Sequence, residues 1–319
     1  MKYFSFKPKN NRNCEVKLFA DDKIYNQVEK KALQQLLNAA KLPGVMGVAG
    51  MPDIHQGYGL PIGGVMVSDI DQGIISPGAV GFDINCGIRL LSSNKQVQEI
   101  DSKLENIIKL IKQRTPAGLG SGASKKFKMN EFKSILANGL PYLVGDLNYG
   151  KKSDIKNCEE QGYIKSADPA KTSSKALKRG QKQLGSLGSG NHFIEIQLVE
   201  EIYDYNSADN KDIKAGLLDS VDNQYQMVNE LKPGQLVFMI HTGSRGLGHQ
   251  VAQDYINKAK DKIKGYNFKL PTKNLASFPF NSREGDEYYK AMGAAANFAF
   301  ANRQLLTHNL RKSIRTVIP

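Results

Sequence analysis

The sequence predicts an α+β fold: one large mixed α/β domain over residues 1–319, with strands and Gly-rich loops around a central metal site and helices outside. Three observations predict it. Short apolar runs of strand type alternate with stretches of helical periodicity. Scarce metal-binding side chains fall in Gly-rich turns beside those runs. A chain of 319 residues with 40% hydrophobic content has material for one large core or two modest ones.

The elements follow in order. Residues 24–41 (IYNQVEKKALQQLLNAAK) repeat apolar positions at helical spacing and stop before Pro43, which predicts a helix. Strands are predicted at 63–69 (GGVMVSD) and 87–93 (GIRLLSS), and a short helix from Asp101 to Arg114 with Asp101 as its N-cap. Residues 145–185 are polar and rich in Lys, Ser and Gly, which predicts an irregular loop or a small helical insertion. Two further strands are predicted at 192–199 (HFIEIQLV) and 235–241 (QLVFMIH), the second emptying into a Gly-rich loop. An amphipathic helix is predicted from His249 to Lys264. One long helix or two should fill Asp286 to Thr316, with the apolar Ala294–Phe300 segment packed.

The chemistry-bearing residues sit in GFDINCG (Asp83, Cys86), GSGNHFIEI (His192) and HTGSRGLGHQ (His241). Only five histidines and three cysteines occur in the chain, so their concentration in loops of one kind reads as a metal-centred active site. A carboxylate, a thiolate and imidazoles together suit a borderline divalent ion such as Zn, Mn, Fe or Co, whereas Mg or Ca prefers all-oxygen ligands. Asp83 and Cys86 are three residues apart, so a turn lets both converge on one ion, and one thiolate can bridge two. Each residue taken alone also reads as a satisfied polar side chain in a turn; the joint placement favours the metal.

The segments MPDIHQGYGLPIGG (51–64), SPGAVGFDINCGIRLL (76–91), GSLGSGNHFIEI (185–196), HTGSRGLGHQVAQDY (241–255) and AAANFAFANRQLLTHNLR (294–311) closely resemble the RtcB family of RNA-splicing ligases, and the resemblance runs from about residue 16 to the last. It implies GTP- and Mn2+-dependent joining of RNA ending in a 2′,3′-cyclic phosphate or 3′-phosphate to RNA beginning with a 5′-hydroxyl, as in tRNA splicing and RNA repair. It implies that Asp83, Cys86 and His192 hold one manganese and that Cys86 and His241 hold a second. It places Asn191 and Glu195 near the guanylate, with Glu195 on the guanine edge. It puts Arg245 on an RNA phosphate and makes Asp53, like Asp83, necessary for catalysis. The implied partners are RNA, such as tRNA halves, and an archease-type activator.

The family's third histidine ligand and its guanylated histidine lie in C-terminal motifs beyond Pro319, and His308 precedes both. The expectation is therefore an RtcB-like catalytic domain that is C-terminally incomplete and forms no covalent GMP adduct alone. Two other readings stay open: a metal-dependent cyclic phosphodiesterase, and a catalytically incomplete RNA-binding module.

Composition bounds these readings. The formal charge of +13 favours polyanions through counterion release. Part of the excess lies in the runs Lys125, Lys126, Lys128 and Lys171, Lys175, Lys178, Arg179, Lys182, which read equally well as a solvated face. The Gly-rich 118–122 stretch lacks a Walker ending and reads as a turn, with a substrate contact kept open by the resemblance. No Lys-x-Asp-Gly or Gly-x-Ser-x-Gly motif occurs, so neither lysine adenylation nor serine hydrolysis is indicated. No apolar stretch approaches the roughly 20 residues of a membrane span. The N-terminus has no secretory pattern and the cysteines are odd in number and dispersed, so a cytoplasmic location is expected.

Overall fold

A computed structural model describes residues 2–7, 14–118, 122–123, 126–202 and 231–318. Its strands are β1 (Tyr3–Phe6), β2 (Glu15–Phe19), β3 (Val45–His55), β4 (Ile62–Ser68), β5 (Ile74–Ile75), β6 (Gly87–Gln96), β7 (Phe193–Leu198), β8 (Gln235–Thr242) and β9 (Phe278–Pro279). Its helices are α1 (Asp22–Tyr25), α2 (Lys30–Ala39), α3 (Pro77–Val80), α4 (Leu104–Arg114), α5 (Met129–Gly145), α6 (Lys152–Lys156), α7 (Ser174–Gln183), α8 (Arg245–Lys262) and α9 (Arg283–Val317). The fold is mixed α/β with three small sheets among the described residues. Contacts divide the chain into two compact units: Met1–Ile84, Ser166–Leu177 and Gly246–Ala295 form the first, and Asn85–Lys165, Lys178–Arg245 and Ala296–Pro319 the second.

In the first unit β1-β2-β3-β4 form one sheet, antiparallel except for the parallel β2/β3 pair. That parallel pair requires a crossover, which α1 and α2 supply. Val16 and Leu18 alternate inward from β2 and meet Leu36 and Ala39 of α2 in a core that also holds Leu42, Val48 and Ile54. The helix predicted over 24–41 is interrupted here. Asp21 caps α1 by accepting from the Ile24 N–H at 2.7 Å, so the helix starts earlier than the apolar spacing indicates. Tyr25 stacks on Phe4 of β1 with ring centroids 3.9 Å apart. Gln27 and Val28 then bond back three residues instead of four, tightening the chain before α2 begins. Short strands β5 and β9 pair antiparallel.

The second unit is built on the antiparallel sheet β6-β8-β7. One face of β8, carrying Leu236, Phe238 and Ile240, packs on Ile107 and Ile111 of α4 and on Leu306 and Leu310 of α9. The four strand predictions in the 63–69, 87–93, 192–199 and 235–241 segments lie within a few residues of β4, β6, β7 and β8. Asp101 does not cap α4: it opens a 3-10 turn, Asp101–Lys103, and Lys103 takes the N-cap position. Residues 145–185 carry α6, two 3-10 turns and α7. The helix predicted from His249 begins four residues earlier, at Arg245, because the Gly246–Gly248 stretch is itself helical. The C-terminal prediction resolves to one helix: α9 gives Arg283–Ala295 to the first unit and the rest to the second.

Candidate metal centre

Three strand ends explain why distant motifs meet in the second unit. Because β6, β8 and β7 are antiparallel in that order, the start of β6, the end of β8 and the start of β7 share one edge of the sheet. Ile88, His241 and Phe193 stand in one row across it. Cys86 precedes β6 by one residue, and His192 precedes β7 by one. The result is convergence: the Cys86 Sγ lies 3.2 Å from His241 Nε2 and 3.5 Å from His192 Nε2. The ligand atoms of Asp83, Cys86 and His192 all lie within 4.8 Å of one another, Asp83 belonging to the same turn as Cys86. That group is a carboxylate, a thiol and an imidazole, and Cys86 is exposed.

The donor set fits a borderline divalent ion, and a hydrogen bond supplies independent support. His192 Nδ1 lies 3.1 Å from the Leu187 carbonyl oxygen. A carbonyl has no proton to give, so Nδ1–H must be the donor. In the neutral ring this leaves the Nε2 lone pair aimed toward Cys86, which is the tautomer a metal needs. Thr242 Oγ1 donates to the same carbonyl at 2.8 Å, tying the β8 end to the loop that carries His192.

Two residues of α9, to which the sequence motifs gave no role, hold the loops in place. Buried Arg303 donates to the Asn85 carbonyl at 2.7 Å, to Asn85 Oδ1 at 3.1 Å and to the Thr242 carbonyl at 2.8 Å. It thus joins the residue before Cys86 to the residue after His241. Asn85 needs this support, since its backbone is left-handed at φ 56°. Asn302 accepts from the Gly185 N–H at 2.7 Å and donates to the Ser186 carbonyl at 3.1 Å and the Gly243 carbonyl at 3.3 Å. The loop before His192 is thereby fastened to the loop after His241. Nothing local in the sequence marks these two, because Asn297, Gln304 and Thr307 are buried polar residues on the same helix.

The remaining predicted residues are distributed differently. Arg245 opens α8 at φ 53°, and its guanidinium lies against Gly188, where an added Cβ would stand 2.1 Å from Nη1. Only glycine fits there, at φ 101°, so the Gly-rich loop is shaped to admit the arginine. Asn191 is exposed in the same loop. Glu195 sits on β7 opposite Met239, on the sheet face shared with His241, and accepts from Gln197 Nε2 at 2.7 Å. Asp53 belongs to the first unit, exposed near the end of β3, and is not among the clustered ligand atoms. A cavity of about 400 Å³ opens beside Cys86, lined among others by Arg89, Ser92, Cys158, Phe300 and Arg303. The basic residues Lys126, Lys128, Lys175, Lys178, Arg179 and Lys182 are exposed; Lys125 and most of the 118–122 stretch lie outside the described residues.

Comparison with known proteins supplies a family for this geometry. The family model described as tRNA-splicing ligase RtcB matches residues 35–319. The chain is 43% identical over 301 residues to the tRNA-splicing ligase RtcB of Methanococcus maripaludis, covering 94% of this chain and 59% of that protein. It is 40% identical over 320 residues to that of Nanoarchaeum equitans, covering 99% and 63%. The RNA-splicing ligase RtcB of Mycobacterium bovis is 40% identical over 282 residues, covering 87% and 61%. The chain thus spans about three fifths of the length of the curated relatives it matches.

Proposed function

Since the chain belongs to the RtcB family of tRNA-splicing ligases, we propose that it serves GTP-dependent joining of RNA ends: a 2′,3′-cyclic phosphate or 3′-phosphate on one side, a 5′-hydroxyl on the other. The observation that supports this most is the convergence of one thiol on two imidazole nitrogens at a shared sheet edge. Asp83, Cys86 and His192 would hold one manganese ion, and Cys86 with His241 a second. When bound, manganese supplies Lewis acidity toward phosphoryl oxygens, which a dianionic 3′-phosphate needs before any nucleophile can approach.

The chain's own residues account for the rest. His192 is held in one tautomer by the Leu187 carbonyl, so its ligand nitrogen needs no proton rearrangement. Arg245 offers a fixed cation for an RNA phosphate. Asn191 and Glu195 serve the guanylate, Glu195 as acceptor for the guanine N–H edge. Asp53 is a further residue of the catalytic set. RNA reaches the site as a polyanion, drawn by the net charge, and an archease-type activator is the protein partner that this reading carries with it.

The test compares two RNAs that differ only at the end. With Mn2+ present, RNA ending in a 3′-phosphate should bind at least about five-fold more tightly than the same RNA ending in a 3′-hydroxyl. Chelation or Cys86→Ala should remove the difference. Equal affinity for the two ends under all conditions would contradict the reading.

A further inference from the structure

A hollow lined by basic residues lies in the second unit, on residues that take no part in the candidate metal centre. His308, Arg311, Lys312 and Arg315 follow one another on α9 at spacings of three, four and seven residues from His308. Such positions share one helix face. They line a cavity of about 500 Å³ together with Lys151, from the residue preceding α6, and Thr316. Like charges at three- and four-residue spacing repel one another. Among the described residues a single carboxylate, Asp154, meets this group, and it is engaged bidentately by Arg311 at 2.7 and 2.8 Å. Lys151, Lys312 and Arg315 have no carboxylate within ion-pairing distance among the described residues.

The walls of the cavity are built. Asp154 is buried and also accepts from Gln304 Nε2 and from the Lys151 N–H, each at 2.9 Å, so the Arg311 fork is held in one orientation. Tyr149 sets its ring edge to face against His308, with centroids 5.1 Å apart. Cations near a helix C-terminus also stabilise the helix through its dipole, but that effect is confined to the last turn. It accounts for Arg315 and not for Lys151, which comes from another element and faces the same hollow.

We propose that this hollow is a phosphate-binding site that takes the phosphodiester backbone of RNA. The assignment of the polyanion as RNA rests on the ligase reading; the anion chemistry does not. Lys312 and Arg315 on the helix and Lys151 across the cavity, with Arg311 held beside them by Asp154, match a run of phosphates, and the space exceeds what one phosphate fills. RNA held here would be positioned through its backbone without sequence preference.

The experiment uses a short fluorescent single-stranded RNA with a 3′-hydroxyl end, so that recognition of a 3′-phosphate plays no part. Affinity is measured against salt for the wild type, for Lys312→Glu with Arg315→Glu, and for Lys312→Arg with Arg315→Lys. The charge-reversed protein should bind about ten-fold more weakly, and its slope of log affinity against log salt should fall by about 1.4, two lost contacts at about 0.7 each. The charge-conserving variant should bind like the wild type. Both changed positions are exposed, and circular dichroism checks that the fold is kept. Unchanged affinity and slope in the charge-reversed protein overturn the proposal. So does displacement of the His308 imidazole resonance by inorganic phosphate without any effect of the substitutions on RNA, since the site would then serve free phosphate. Manganese binding, measured in parallel, separates the two readings: its absence from the wild type counts against the metal centre, whereas the salt slope alone decides the phosphate site.

Discussion

At the residue scale, the candidate metal centre depends on side chains outside its set of possible ligands. Arg303 spans the two turns that present Cys86 and His241, and its three hydrogen bonds need the planar fork of a guanidinium. Arg303→Lys keeps the charge and loses that geometry. We predict that manganese affinity falls three- to ten-fold while the melting temperature drops by only a few degrees. A purely structural arginine would show the reverse, with a lowered melting temperature and unchanged affinity for the metal. The residues that converge at the candidate centre were legible in the sequence, because Cys and His are rare in this chain and stand in Gly-rich turns. Arg303 and Asn302 were not. Their partners are 218 and 117 residues away, and nothing local distinguishes them from other polar positions on a buried helix.

At the element scale, α6 is joined to α9 by the Asp154–Arg311 pair. Burial alone would raise the Asp154 pKa. The hydrogen bonds from Arg311 and the Lys151 N–H, the guanidinium charge and the Gln304 amide outweigh it and hold the pKa at about 2. A carboxylate depressed in the folded state stabilises above its unfolded pKa, and that contribution is lost as pH falls through the folded value. Stability from this pair should therefore be complete above about pH 4 and disappear between about pH 4 and 2, on the order of 1 kcal/mol after allowance for partial solvent screening. Urea melts of wild type and Asp154→Asn check this. The two should converge toward pH 2, and a constant difference from pH 7 to pH 2 would show that the pair is not the cause. Four strands, β4, β6, β7 and β8, were legible because each is a short apolar run bounded by turn residues, whereas β1, β2 and β3 were not read from the sequence. The helix predicted over 24–41 failed where a tertiary contact intervened. Periodicity continues through Asn26–Glu29, but the Tyr25–Phe4 stack and the tightened bonds that follow it divide the helix.

At the scale of the whole molecule, positive charge gathers in ways that runs in the sequence do not show. The sequence displays its lysine runs near residues 125–128 and 171–182. The cavity formed by Lys151 and the end of α9 joins residues more than 150 positions apart, so no reading of runs could reveal it. The same holds for the metal centre: composition announces the ligands, and antiparallel pairing of β6, β8 and β7 brings them to one edge. Cys86 stands between the two imidazoles, so this single thiol organises the proposed site. The most direct test is a paramagnetic titration of manganese into the wild type, Cys86→Ala and Cys86→Ser. We predict measurable binding by the wild type and at least a ten-fold loss in both variants, with serine no better than alanine because the neutral hydroxyl does not replace a thiolate. Equal manganese affinity in all three proteins would contradict it.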